Sequence, residues 1–83
     1  MSTIIDVRTP GEFAEGHVPG SVNIPLDQLP HRLEEVQRME TPLILCCRSG
    51  ARSGAAVDLL RAAGLQHISN GGPWTDLLES TKP

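Results

Sequence analysis

The sequence predicts an α/β fold: a small central parallel β-sheet flanked by helices on both faces. Short apolar, β-branched runs alternate with segments of helical periodicity, the pattern of strand–helix–strand units. The run Leu43-Ile44-Leu45-Cys46 is apolar at every position, as a strand covered on both sides requires. Helix boundaries are marked by Thr9-Pro10 at one start and Gly64 at one stop. The length of 83 residues suits one small domain, residues 1–83, with a modest core.

Thr3 to Val7 reads as a buried strand that delivers Asp6 and Arg8 to its carboxyl end. Thr9-Pro10-Gly11-Glu12 then has helix-start chemistry: Thr9 caps, Pro10 fits the first helical position, and Glu12 completes a capping box. That helix should run to about Glu15 and stop at Gly16. His17-Val18-Pro19-Gly20 is a turn signal, and Ser21 to Ile24 a very short second strand broken by Pro25. Pro30 is expected to open a helix with Leu29, Leu33 and Val36 on one face and Arg32, Glu34, Glu35 and Arg38 toward water. Thr41-Pro42 ends it, and Leu43 to Cys46 follows as the central strand. Ser53 to Ala63 carries Ala56, Leu59, Leu60 and Ala63 at helical spacing, with Gly64 where a left-handed C-cap belongs. Gln66 to Ser69 is the expected last strand, Asn70-Gly71-Gly72-Pro73 a turn, and Pro73 to Leu78 a short terminal helix.

Composition narrows the function classes. A net charge of −3, with Phe13 and Trp74 as the aromatic residues, argues against a nucleic-acid binder, which needs a basic face and stacking surfaces. No apolar run approaches membrane-spanning length, and Met1 to Asp6 lacks the basic and apolar regions of a signal peptide. The expectation is a cytoplasmic monomer with no membrane and no nucleic-acid partner. Cys46 and Cys47 are chain neighbours whose side chains point to opposite faces of an extended strand, which disfavours a structural disulfide. Neither C-x-x-C spacing nor clustered histidines suggest a metal: His17, His31 and His67 are scattered.

The chemically informative segment is Cys47-Arg48-Ser49-Gly50-Ala51-Arg52-Ser53, where a buried strand turns into a helix N-terminus. Backbone N–H groups in such a turn converge on one point, and the helix dipole adds partial positive charge. A free cysteine of pKa about 8.5 is roughly 3% thiolate at pH 7, and a shift to about 6.5 makes it roughly three-quarters thiolate. From Cys47 through Val57 there is no acid to offset Arg48 and Arg52, so both are candidates for anion binding. Cys46 belongs to the strand and reads as an inert buried thiol. Asp6 and Arg8 read as a structural ion pair or cap, with Arg8 a possible partner of Glu12, and His17 as a structural hydrogen-bonding residue in its turn.

Several segments resemble the rhodanese family of sulfurtransferases. Ile5-Asp6-Val7-Arg8 with Glu12-Phe13 is similar to its first signature, and Gly16 through Pro25 to its second. Cys47 to Ser53 is similar to its active-site loop, and Gly71-Gly72 to a late glycine pair. The resemblance implies a rhodanese-like fold and a persulfide cycle: Cys47 is the nucleophile, thiosulfate the donor, and cyanide, a small thiol or a protein thiol the acceptor. It implies no cofactor. Arg48, Ser49, Gly50, Ala51, Arg52 and Ser53 would hold the donor and the transferred sulfur, the arginines at the sulfonate and the backbone N–H groups at the sulfur. The chain departs from the family in starting almost on the first signature, which predicts a smaller sheet. Trp74 follows the glycine pair more closely than the family's late tryptophan does, so it receives no catalytic role.

A related-fold phosphatase or arsenate reductase is the rival enzyme, because Cys46 and Arg52 are separated by five residues as such sites require. Gly50 decides for Cys47: the glycine stands three residues after the nucleophile in both loop types, and three residues after Cys46 stands Ser49. A noncatalytic rhodanese-like binding module is the other alternative, which the presence of Cys47 disfavours.

Overall fold

The computed structural model describes residues 2–80. In chain order it contains β1 (Thr3–Asp6), α1 (Pro10–Glu15), β2 (Val22–Asn23), a 3₁₀ turn (Leu26–His31), α2 (Leu33–Gln37), β3 (Leu43–Cys47), α3 (Ala51–Ala62), β4 (Ile68–Pro73) and α4 (Trp74–Ser80). The four strands form one parallel sheet in the order β2-β1-β3-β4. The chain moves outward from β1 to β2, then crosses back over β1 to lay down β3, so the winding direction changes between β1 and β3. Ligands of open α/β sheets bind at the carboxyl ends of strands where this reversal occurs. Here those ends carry Asp6 and Cys47.

Alternation along β3 separates two layers. Leu43, Leu45 and Cys47 belong to the main core with Ile5, Val7, Leu29, Val36, Ala56, Val57 and Leu60, which places α3 and the 3₁₀ turn on that face. Ile44 points the other way, toward α4: a Cβ added to Gly71 would lie 2.8 Å from Ile44 Cγ2 and 3.0 Å from Leu77 Cδ1. Leu45 is fully buried. Its truncation to alanine would cost about 2–5 kcal/mol. No helix among the described residues is long and apolar enough to cross a membrane.

Local signals set most boundaries. Thr9 Oγ1 accepts the Glu12 N–H at 3.2 Å and the Glu12 carboxylate accepts the Thr9 N–H at 3.1 Å, completing the capping box of α1. At the other end of α3, the Leu65 N–H reaches Leu60 O and the Gly64 N–H reaches Arg61 O, with Gly64 at φ +100°. That paired closure is what a glycine after a helix provides.

The expected boundaries shift most in four places. Pro30 does not open a helix but lies inside the 3₁₀ turn, and α2 begins only at Leu33. Proline supplies no N–H, so a four-residue hydrogen-bond ladder cannot run through it. The second strand keeps only Val22 and Asn23 of the four residues expected. α3 starts at Ala51, two residues before the expected Ser53, because Gly50 adopts φ +99° and turns the chain directly into the helix. The last strand begins at Ile68 and continues through Asn70-Gly71-Gly72-Pro73, where a turn was expected. Leu45 pairs with Asn70 and Cys46 with Gly72, so Gly71 is the extra residue of a β-bulge.

Candidate active site

β3 ends at Cys47, residues 48–50 reverse the chain, and α3 returns with the N–H of Ser53 on the Cys47 sulfur. The Cys47 sulfur accepts the Gly50 N–H at 3.0 Å, the Ser53 N–H at 3.4 Å and the Ser53 hydroxyl at 3.4 Å. Cys47 and Ser53 are fully buried, so these donors serve the sulfur with little competition from water. Burial works against the thiolate, yet hydrogen bonds from the Ser53 hydroxyl and from the N–H groups of Ser53, Gly50 and Ser49 outweigh it. The Cys47 pKa falls from 9.0 to about 7. About half the chains then carry a thiolate at neutral pH.

Cys46 faces the opposite side of the sheet. Burial, the Asp6 carboxylate and the neighbouring Cys47 push its thiol up to about 12, against a smaller opposing effect of Arg8. This geometry removes the phosphatase register counted from Cys46, since the loop N–H groups converge on Cys47.

The arginines divide. Arg52 forms a two-point ion pair with Glu12 of α1, at 2.7 and 3.0 Å. That pair, then the Thr9 N–H, holds the Glu12 carboxyl down at about 2. Arg52 therefore presents a compensated charge rather than the free cation expected from the loop sequence. Arg48 is exposed and makes no ion pair among the described residues. It borders a cleft of about 320 Å³ beside the loop, lined also by Arg8, Glu12, Glu15, Gly16 and Trp74.

Asp6 and Arg8 form the expected structural pair. Arg8 Nε lies 2.9 and 3.0 Å from the two Asp6 carboxylate oxygens, and Arg8 Nη2 is 2.7 Å from Oδ2. The same guanidinium donates to Gly16 O at 2.7 Å and stands 4.7 Å from the Trp74 ring centre. Toward Glu12, Arg8 donates to the backbone carbonyl at 3.3 Å, and the carboxylate belongs to Arg52. His17 Nδ1 donates to Phe13 O at 2.7 Å and its ring stacks on Phe13, fixing the turn. Of the expected loop residues, Cys47, Ser49, Gly50 and Ser53 meet at the sulfur. Ala51 opens α3, Arg48 faces the cleft and Arg52 is bound to Glu12.

Sequence reasoning missed Asn70. Its amide receives the Ser53 hydroxyl at 2.6 Å and the Gly72 N–H at 2.9 Å, and donates to Gly50 O at 3.0 Å. The adjoining glycine pair made it look like a turn residue, and no local signal tied it to Ser53.

Known proteins are similar to this chain in sequence and fold. The rhodanese-like domain profile matches residues 1–72. The chain is 46% identical over 67 residues to the uncharacterized protein YqhL of Bacillus subtilis, covering 81% of this chain and 52% of that one. It is 34% identical over 74 residues to the thiosulfate sulfurtransferase PspE of Escherichia coli, covering 88% and 71%. A solved structure of an Escherichia coli rhodanese with anions superposes with a TM-score of 0.82 at 32% identity, over 92% of this chain and 91% of that one. The chain thus spans about half of the Bacillus relative and most of both Escherichia coli proteins. On the match to residues 1–72, the chain belongs to the rhodanese-like domain family.

Proposed function

We propose that the protein is a sulfurtransferase that carries sulfane sulfur as a persulfide on Cys47. The observation that carries this reading is the convergence of the Gly50 N–H, the Ser53 N–H and the Ser53 hydroxyl on one buried sulfur. A thiolate stabilised this way is a nucleophile at neutral pH without any base.

With thiosulfate as donor, the Cys47 thiolate attacks the outer sulfur. The bond from that sulfur to the sulfonate breaks, and sulfite leaves with the electron pair. The product is Cys47–S–S⁻, and charge is conserved at −3 across the step. Cyanide or a thiolate acceptor then attacks the terminal sulfur, forming thiocyanate or a new persulfide and returning the Cys47 thiolate. The terminal sulfur carries negative charge, which the N–H groups of Ser49, Gly50 and Ser53 would receive. Arg48, the exposed cation at the cleft, is the residue assigned to the donor's sulfonate. Arg52 keeps α3 fixed to α1 through Glu12 and so holds the shape of the loop. Cys47 is fully buried, so the loop or the side chain has to move for the donor to reach the sulfur.

PspE, a thiosulfate sulfurtransferase, supports thiosulfate as the donor to try first. Treating the protein with thiosulfate should add one sulfur, about 32 Da by intact mass, and cyanide should remove it as thiocyanate. Folded protein that takes up no sulfur, or takes it up on Cys46, would remove the assignment.

A further inference from the structure

The Ser53 hydroxyl has one proton and two acceptors. Asn70 Oδ1 lies 2.6 Å away and Cys47 Sγ 3.4 Å away, so the proton can serve either but not both in full. The orientation of the Asn70 amide is forced by its other neighbours. The Gly72 N–H can only donate, so the atom 2.9 Å from it must be the oxygen. The Gly50 carbonyl can only accept, so the atom 3.0 Å from it must be the nitrogen. The bulge at Gly71 makes this possible, because the extra residue brings the Gly72 N–H back to the Asn70 side chain.

We propose that Asn70 is a positioning residue for Cys47: it holds the Ser53 hydroxyl proton while Cys47 is a thiol and yields it to the sulfur when Cys47 ionises. Asn70 then acts on the nucleophile through Ser53 and touches neither donor nor acceptor. Its bond to the Gly50 carbonyl is a separate, structural effect that keeps the loop closed. The same bulged strand end that completes the sheet therefore carries the switch that follows the charge on the sulfur.

Other charges near this corner are Arg52 of α3, paired to Glu12 of α1, and Asp6 and Arg8 of β1. Arg48 stands at the exposed side of the loop, Cys46 remains a neutral thiol, and β4 carries no charged residue. The charged groups named stay the same throughout the test, and Cys46 is replaced by serine in every variant compared.

The test is a double-mutant cycle read by the pH dependence of iodoacetamide alkylation at Cys47, on a Cys46→Ser background. Asn70→Ala is made with and without Ser53→Ala. Loss of the Gly50 clamp affects both pairs equally, so the difference between the two shifts isolates the shared proton. The expected result is a Cys47 midpoint that Asn70→Ala moves lower by about half a pH unit more when Ser53 is present than when it is absent. Equal shifts in the two backgrounds would overturn the proposal. Should Asn70→Ala fail to fold, Asn70→Asp replaces it in the cycle. Its carboxylate holds the hydroxyl more tightly, so it should raise the midpoint more with Ser53 present than without, and equal shifts would again overturn the proposal. The inference rests on Cys47 being the reactive thiol. It is measured with no sulfur donor, so its failure is distinguishable from failure to form a persulfide.

Discussion

Cys46 and Cys47 are chain neighbours on one strand, both fully buried, yet their thiols move in opposite directions, up to about 12 and down to about 7. Burial opposes ionisation at both. The difference lies in what each face of β3 offers. The Cys47 face meets donors from a loop and a helix N-terminus, whereas the Cys46 face meets the Asp6 carboxylate. Depth alone therefore does not make a buried cysteine inert or reactive. The hydrogen-bond donors aimed at the sulfur decide it, and the pleat of the strand decides which sulfur they reach.

Removing one thiol at a time is the strongest way to break this comparison. Cys47→Ser should abolish sulfur transfer from thiosulfate to cyanide, and Cys46→Ser should retain most of it, as thiocyanate release will report. Loss of activity on changing Cys46 alone, in folded protein, would contradict the division of the two faces.

Stability against pH sharpens it. The Cys47 pKa is lowered from 9.0 to about 7, so its contribution is fully present above 9.0 and is lost as pH falls through about 7. The Cys46 pKa is raised from 9.0 to about 12, so its contribution is present below 9.0 and is lost as pH rises toward 12. Urea unfolding should show Cys46→Ser protein gaining about 2 kcal/mol between about pH 7 and pH 9, and Cys47→Ser protein lacking that gain.

Ser53→Ala tests the largest favourable contribution to the Cys47 thiolate. The alkylation midpoint should rise by about one pH unit, which slows the reaction at pH 7 about fivefold. The smallest expected effect concerns the rim. Glu12→Gln preserves the capping box and removes a negative charge from the cleft that Arg48 borders, so the KM for thiosulfate should fall about two- to fivefold with little change in kcat. An unchanged KM would place the sulfonate away from this cleft.

What could be read in advance followed the range of the interactions. The capping box of α1 and the C-cap at Gly64 depend on residues a few positions apart, and the sequence displays both. The cysteine loop was legible for the same reason, since Cys47, Gly50 and Ser53 are near in sequence. Arg52 looked like a free cation because its partner, Glu12, stands 40 residues earlier. Asn70 and its glycine pair have the chemistry of a turn, and only the pairing of Asn70 with Leu45 and of Gly72 with Cys46 makes them a bulged strand end. Pro30 shows the limit of periodicity: Leu29, Leu33 and Val36 do pack together on the core, but the backbone beneath them changes from a 3₁₀ turn to an α-helix.

The most direct test asks whether the loop side of β3, and not its reverse, carries the thiolate. Iodoacetamide labelling of the wild-type protein from about pH 5 to about pH 10, mapped by peptide mass spectrometry, measures both cysteines in one sample. Cys47 should label with a midpoint at about 7, and Cys46 should not label while the protein stays folded. Labelling of Cys46 first, or a Cys47 midpoint at or above the free-cysteine value of about 8.5, would contradict this.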